Sequence, residues 1–244
     1  MATIKTDGII LRYANYGDYN RMLTLFSPQY GKLGFSARSC RKANAKMIAC
    51  LDQFCYGEYV LYEKNGHYTV TQCELKENFY ALRTDLERMS YATYFLNLCE
   101  EFIQEGKPAP RIFALLLEAL SYYSFAKTHA RVVTICCVLK LMDITGYRPN
   151  LEYCAHCGAA AEGNMVFDAC AGGVVCAACQ KGEPIALDTI RVMRYILEMD
   201  TRKIRSVQMD EGLADTMLSL LMQYVEKRIE RCFPSQEFIM TILK

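Results

Sequence analysis

Two pairs of cysteines constrain this chain more than any other feature of its sequence. Cys154 and Cys157 form one Cys-x-x-Cys pair, Cys176 and Cys179 form the other, and 18 residues separate the pairs. Pairs at this spacing each direct two thiolates at a single tetrahedral Zn²⁺, as in zinc ribbons. Because four sulfur ligands complete the coordination sphere, we expect one structural zinc ion that does not activate water.

Two other interpretations of these cysteines stay open. The pairs could be redox dithiols, since Cys-x-x-Cys lowers thiol pKa values, or the site could have lost its metal. The ribbon spacing and the presence of all four cysteines favour zinc. Cys170 and His156 lie between or within the pairs but do not match the ligand spacing, so we expect neither to bind the metal.

The other cysteines indicate a compartment. The first 20 residues lack the pattern of a secretory signal, and no apolar run is long enough to span a membrane. We therefore expect a cytosolic protein, in which disulfides are rare. The sequence has 13 cysteines, and we expect the eight outside the module to be small buried residues: Cys40, Cys50, Cys55, Cys73, Cys99, Cys136, Cys137 and Cys232.

The N-terminal segment has the pattern of five short strands. Apolar-rich runs are separated by turn residues, and Asn65-Gly66 between two of these runs predicts a β-hairpin. Five strands within residues 1–80 predict a small barrel or sandwich, with an OB-type barrel among the options.

From residue 81 the apolar residues recur with the period of a helix. This pattern predicts a helical domain over residues 81–244, with the cysteine module at 150–183 inserted in a bundle. The predicted fold class is α+β and multidomain: an N-terminal OB-fold β-barrel, then an α-helical bundle carrying a four-cysteine zinc-ribbon module. Helices are predicted over residues 84–104, 111–125, 130–145, 188–199 and 213–231.

The formal net charge of +1 conceals a basic segment. No acidic residue lies between Asn20 and Leu51, whereas six cations do, with Tyr19 and Tyr30 nearby. Cations release counterions from phosphates and aromatic rings stack on unpaired bases, so the segment is typical of a sequence-tolerant nucleic-acid binder. The alternative is a solvated face, with Phe26 and Phe35 in the barrel core. The six cations are Arg21, Lys32, Arg38, Arg41, Lys42 and Lys46.

Residues 8–35, GIILRYANYGDYNRMLTLFSPQYGKLGF, resemble the N-terminus of the bacterial RecO family of recombination mediators. The shared features are the Ile-Leu-Arg strand ending at Arg12, the acid at Asp18, the Leu-Thr-Leu-Phe strand, the Tyr-Gly-Lys turn and the basic run. The order of strands, helices and cysteine module is also similar over nearly the whole chain. One departure is Ser39, where the family usually has glycine before its basic run.

The resemblance implies a DNA repair and recombination mediator of the RecF pathway. Such a protein binds single- and double-stranded DNA through its OB-fold and anneals complementary strands. With RecR it helps load RecA onto DNA coated with single-strand-binding protein, whose acidic C-terminal tail some members bind. The implied location is the bacterial cytoplasm at the nucleoid, without membrane contact. The candidate DNA-binding residues are Arg12, Arg21, Lys32, Arg38, Arg41, Lys42 and Lys46.

Catalytic motifs are missing from the sequence. It has no G-x-x-x-x-G-K-[ST] phosphate loop, no H-E-x-x-H and no G-x-S-x-G, and only three histidines. We therefore expect that the protein is not an enzyme. The alternative function is a zinc-ribbon protein-docking module of transcription or replication that does not bind DNA directly. Salt-dependent binding to single-stranded DNA separates the two functions.

Overall fold

The computed structural model describes residues 2–42, 46–180 and 182–242. Five strands of the N-terminal segment form a closed barrel with the strand order β1-β2-β3-β5-β4. The predicted N-terminal β-barrel followed by helices is confirmed. The strands are β1 Ala2–Tyr16, β2 Asn20–Ser27, β3 Gly31–Ala37, β4 Tyr56–Lys64 and β5 His67–Glu77.

Strand β1 closes the barrel because it is long enough to pair with two partners. Residues 2–9 pair antiparallel with β4, and residues 9–16 pair antiparallel with β2. Gly8 and Gly57 face each other near this exchange of partners. A Cβ added to Gly8 would lie 2.6 Å from the Leu25 side chain. The chain therefore passes close to its neighbours only because no side chain stands at this position.

A short parallel contact completes the barrel. β3 pairs with β5 through only Phe35↔Tyr68 and Ser36↔Thr69, while β4 and β5 form the hairpin predicted at Asn65-Gly66. The alternating inward side chains fill the interior, as expected for a small barrel. The interior residues include Ile10, Leu23, Leu25, Leu33, Phe35, Tyr59, Leu61 and Val70.

The barrel shares a compact unit with helix α2 (Pro110–Phe125). This first unit comprises Met1–Asp85 and Leu96–Ser124. The Phe113 ring of α2 lies 5.3 Å from the Phe26 ring and 6.1 Å from the Tyr56 ring. By packing, α2 therefore belongs with the barrel, and not with the bundle in which the sequence pattern placed it. The predicted domain boundary near residue 80 stays a prediction.

The second compact unit comprises Leu86–Phe95 and Phe125–Lys244. Its central helix is α3 (Ala130–Ile144), of which 12 residues are buried. This helix contacts α4 (Leu187–Glu198) and α5 (Glu211–Ile229). Residues before and after the cysteine module thus share one core, as predicted.

A buried lysine links two helices of this unit. Lys140 Nζ on α3 donates hydrogen bonds to the carbonyl oxygens of Leu197 (2.7 Å) and Met199 (2.5 Å), where α4 ends. Burial lowers the pKa of Lys140. A cation at this place satisfies carbonyl groups that have no partner within the helix.

Helix boundaries follow the predictions within a few residues, with two differences. Helix α1 (Leu86–Phe102) does not begin at Thr84, because Thr84 belongs to a 3-10 helix, Tyr80–Thr84, and its hydroxyl donates to the Ala81 carbonyl. Helix α6 (Pro234–Ile242) was not predicted, since nine residues are too few for a clear periodicity. No helix among the described residues is both long and apolar enough to cross a bilayer.

All 13 cysteines are free thiols in the structure. Of the eight outside the module, six are buried as predicted and Cys73 is half-buried. The prediction is wrong for Cys232, which is exposed. This residue follows α5 in a short connection, where neighbouring side chains do not cover it.

We expect the substitution Gly31→Ala to destabilise the first unit strongly. Gly31 has φ +64°, and an added Cβ would lie 2.0 Å from the Gln104 carbonyl oxygen. Gly66→Ala is the matched control, because Gly66 has φ +76° with open space around it. In the control, the unfolding free energy should fall by about 1 kcal/mol, because an alanine is strained at this positive φ. Gly31→Ala should lose about 1–3 kcal/mol more through the clash. Equal losses in urea unfolding would contradict a close approach at Gly31.

Candidate nucleic-acid interface and metal centre

The two cysteine pairs lie on turns that precede and follow a small hairpin along the chain. Strands β6 (Met165–Asp168) and β7 (Gly173–Cys176) form an antiparallel sheet, and Cys176 is the last residue of β7. The first pair ends in a turn whose Gly158 has φ +74°, the left-handed conformation expected after such a pair. Matching hydrogen bonds shape the turns, from Gly158 N–H to the Cys154 carbonyl (2.9 Å) and from Gln180 N–H to the Cys176 carbonyl (3.1 Å).

These turns bring four sulfur atoms together. The Sγ atoms of Cys154, Cys157, Cys176 and Cys179 all lie within 4.8 Å of one another. The Cys157 and Cys176 Sγ atoms are 3.7 Å apart. Tetrahedral zinc with Zn–S bonds of about 2.3 Å would hold its sulfurs about 3.8 Å apart. The donor set and its spacing therefore fit a structural metal ion.

The electrostatics of the cluster favour a bound cation. Backbone N–H groups of Cys157 and Cys176 lower the pKa of Cys154 to about 6, and the Cys176 N–H lies 3.3 Å from Cys154 Sγ. Hydrogen bonding with the Cys157 side chain raises the pKa of Cys179 to about 12. The thiolate of Cys154 therefore forms easily, whereas that of Cys179 is opposed by its neighbours. A divalent cation would remove that opposition.

Cys170 and His156 lie outside the sulfur group. Cys170 lies in the β6–β7 turn, where its N–H donates to Asp168 Oδ1 (2.7 Å) and its carbonyl accepts from Arg228 (2.9 Å). His156 is exposed on the first turn. The structure thus brings the four predicted ligands together and leaves both spare candidates outside the group.

Side chains of the helical unit hold the cysteine module in place. Arg194 of α4 donates from Nε to the Leu151 carbonyl at 3.0 Å. Arg228 of α5 donates to the carbonyls of Ala169 and Cys170, and the Tyr224 hydroxyl donates to the Tyr147 carbonyl at 2.9 Å. These contacts fix the start of the module and its β6–β7 turn, which is consistent with a structural role.

The structure separates the predicted DNA-binding cations into two groups, and the first group is engaged in packing. Arg21 is largely buried, with its Nη1 2.7 Å from Asp52 Oδ1 and its guanidinium 4.1 Å from the Tyr13 ring centre. Lys32 Nζ donates to the Glu100 carbonyl at 3.1 Å. Arg12 is exposed, but its Nε lies 3.1 Å from Glu100 Oε1. These three cations already have partners within their own unit.

The second group, Arg38, Arg41 and Lys42, is exposed. The loop that carries it is held by the β1–β2 turn: Ser39 N–H donates to Asn20 Oδ1 (2.9 Å), and Arg41 N–H donates to the Tyr19 carbonyl (3.1 Å). Ser39 has φ +54°, the conformation that favours glycine. The serine therefore keeps the backbone geometry that a glycine would adopt. Lys46 begins a 3-10 helix, and its side chain lies outside the described part of the chain.

Exposed tyrosines line the same edge of the barrel. Tyr13, Tyr16 and Tyr19 of the β1–β2 hairpin are 41%, 47% and 49% exposed. Lys42 Nζ lies 5.6 Å from the centre of the Tyr19 ring. Tyr19 was predicted here, whereas Tyr13 and Tyr16 were missed. Their position at the end of a strand, beside a turn, was the available signal.

A cleft of about 660 Å³ adds residues that the sequence reasoning did not select. It lies between β3 and the β4–β5 hairpin, on the side of the barrel that includes Arg38. OB-type barrels bind oligonucleotides on this kind of face, with the loops between β1–β2 and β4–β5 at its sides. In the sequence, the Asn65-Gly66 turn was the feature that could have indicated this cleft, because both residues line it. The added residues are Met22, Tyr62, Lys64, His67 and Tyr68.

Comparison with known proteins assigns both parts of the chain. Residues 1–79 match the family model described as "Recombination protein O N terminal", and residues 83–237 match "Recombination protein O C terminal". The "DNA repair protein RecO" of Alkaliphilus metalliredigens (strain QYMF) is 31% identical over 232 residues, which cover 93% of this chain and 94% of that protein.

Two further relatives match over similar lengths. The "DNA repair protein RecO" of Acetivibrio thermocellus is 29% identical over 248 residues, covering 99% of this chain and 98% of that protein. The protein of the same name from Bacillus subtilis (strain 168) is 28% identical over 239 residues, covering 96% and 93%. The similarity therefore extends over both compact units.

We expect about one zinc ion per chain by elemental analysis, and a large loss of thermal stability in Cys176→Ser. A structural zinc site contributes roughly 10–16 kcal/mol of apparent binding energy to folding. Cys170→Ser is the matched control, because Cys170 lies in the same module outside the sulfur group. The control should keep the metal and the melting temperature. Metal-free protein in which both variants melt like the parent would contradict the structural-metal assignment.

Proposed function

We propose, because the chain belongs to the RecO family of DNA repair proteins, that it binds single- and double-stranded DNA through its barrel and anneals complementary strands. The family assignment places the protein in DNA repair and recombination. The metal centre, with zinc as its ion, stabilises the helical unit in this proposal and takes no part in chemistry.

One observation carries the DNA-binding proposal. Arg38, Arg41 and Lys42 are exposed without a carboxylate partner among the described residues, and the loop that carries them is hydrogen-bonded to a hairpin with exposed tyrosines. The cations supply a sequence-independent attraction to phosphates, and tyrosine rings supply stacking surfaces for unpaired bases. We leave Arg21 and Lys32 out of the interface, because moving their side chains would break contacts that hold the unit together.

The same features account for annealing without catalysis. Two complementary strands repel each other through their phosphates, and a bound cationic surface lowers this repulsion. Base pairing then supplies the favourable free energy, so no covalent step is required. Within this proposal the protein is not an enzyme.

The family resemblance extends the proposal to partners. We propose that the protein acts with RecR to help load RecA onto single-stranded DNA coated with single-strand-binding protein, and that it contacts the acidic tail of that protein. These steps are those of the RecF pathway. They are tested by measuring strand annealing on DNA coated with single-strand-binding protein, with and without RecR.

We expect the triple variant Arg38→Ala, Arg41→Ala, Lys42→Ala to bind single-stranded oligonucleotides more weakly at every sequence and to anneal strands more slowly. Each lost phosphate contact should reduce the slope of log K against log salt by about 0.7 for single strands. Fluorescence anisotropy across a salt series measures both quantities.

A matched control is Lys5→Ala with Lys76→Ala. These barrel cations are already paired, Lys5 with Glu58 at 2.8 Å and Lys76 with Asp7 at 2.6 Å. The control should keep nearly the parent slope. If the parent shows no salt-dependent binding at low salt, the docking-module alternative takes the place of the DNA proposal. A triple variant that binds like the parent would remove the basic loop from the interface.

We expect Tyr16→Ala to weaken single-stranded DNA binding by about 1–3 kcal/mol, the usual value for a stacked base. Tyr16→Phe should bind like the parent, because the ring and not the hydroxyl provides the stacking surface. Duplex binding should change less, since paired bases are not free to stack on the ring. Equal losses for the alanine and phenylalanine variants would argue against stacking at Tyr16.

A further inference from the structure

A short basic segment of the helical unit has no role in the function proposed above. The 3-10 helix Thr201–Ser206 lies between α4 and α5 and contains Arg202, Lys203 and Arg205. Its one buried side chain is Ile204, which is fully covered. With three residues per turn, the buried Ile204 directs its neighbours outward. The three cations are all exposed.

A second element adds another cation to this segment. The Thr128 hydroxyl donates to the Arg205 carbonyl at 2.5 Å, so the residues just before α3 lie against the 3-10 helix. Lys127, next to Thr128, is exposed. The surface therefore combines cations from two parts of the chain that are far apart in sequence. We call Lys127, Lys203 and Arg205 the helical basic surface.

The pairing of charges distinguishes this surface from the rest of the unit. Elsewhere in the unit several arginines contact acids, such as Arg148 with Asp143 (3.3 Å) and Arg191 with Asp188 (2.9 Å). Arg202, beside the surface, is likewise paired with Asp200 at 2.6 Å. Among the described residues, by contrast, Lys127 and Arg205 have no carboxylate partner within ion-pair distance. Unpaired positive charge at this place is left for an external anion.

We infer that the helical basic surface is a second contact for nucleic-acid phosphates, separate from the barrel interface. This inference rests on the proposed DNA-binding function. Phosphate contacts require exposed cations and no preformed pocket, which matches side chains directed into solvent from a short helix and a loop. The contact would be independent of sequence, because these cations face a backbone and not base edges.

The test compares three variants of the full-length chain on a 40-nucleotide oligo(dT) and on a duplex of the same length. The first is Lys127→Ala, Lys203→Ala, Arg205→Ala. The second is the matched control Arg191→Ala, Lys227→Ala, Arg231→Ala, which removes the same charge from exposed positions elsewhere in the unit. The third is the barrel variant Arg38→Ala, Arg41→Ala, Lys42→Ala.

We expect the first variant to lose affinity on the order of tenfold and its salt slope to fall by about 2 on oligo(dT), with the control unchanged. Its melting temperature should equal that of the parent, since all three side chains are exposed. Combined with the barrel variant, the losses in log K should add, as expected for separate contacts.

The failures of this inference and of the proposed function are distinguishable. If the parent binds DNA and the first variant has the parent's affinity and slope, the second contact is wrong while the barrel proposal stands. A parent that does not bind DNA overturns both. If the first variant binds DNA normally but no longer binds an acidic peptide that the parent binds, the surface belongs to a protein partner and the inference is overturned. An equal loss in the matched control would show a general charge effect, and would also overturn it.

Discussion

The first unit depends on β1 pairing with two strands in succession. The strand pairs with β4 along residues 2–9 and with β2 along residues 9–16, and this exchange closes the barrel. At this exchange Gly8 leaves room for the Leu25 side chain, and Gly57 lets the Glu74 carbonyl of β5 approach, because neither glycine has a side chain. Once the barrel is closed, the β1–β2 hairpin and the loop after β3 are held side by side, and both proposed DNA-contacting groups lie on them. The position of the proposed interface is thus a consequence of how the sheet closes.

Burial and pairing, and not charge alone, decide which cations are left for the proposed contact with DNA. The basic segment contains both Arg21 and Arg38, yet Arg21 is paired with Asp52 while Arg38 is exposed beside the cleft. A guanidinium held by a carboxylate, a carbonyl and an aromatic ring would lose these contacts on reaching a phosphate. The exposed cation breaks no such contacts when it binds a phosphate, so its phosphate contact contributes its full electrostatic free energy.

The cysteine module illustrates a different balance. Its strands β6 and β7 have four residues each, which is too little to form a core. Two kinds of interaction compensate for the missing core. The four sulfurs can share a cation, and arginines of α4 and α5 donate hydrogen bonds to backbone carbonyls of the module. Backbone carbonyls that a short hairpin cannot satisfy internally are thereby paired. The module therefore contributes to the stability of the helical unit.

The sequence by itself determined the features that short-range geometry controls. The cysteine spacing identified the four clustered cysteines, and Asn65-Gly66 located the β4–β5 hairpin, because both depend on backbone conformations of adjacent residues. The tertiary structure alone decided that α2 packs with the barrel, that Lys32 and Arg21 are engaged, and that Thr128, next to Lys127, contacts Arg205. Each of these depends on contacts between residues distant in sequence, whose partners are set only when the chain has closed its barrel and packed its helices. A charge pattern shows where cations occur, and only the packed structure shows which of them already have a partner.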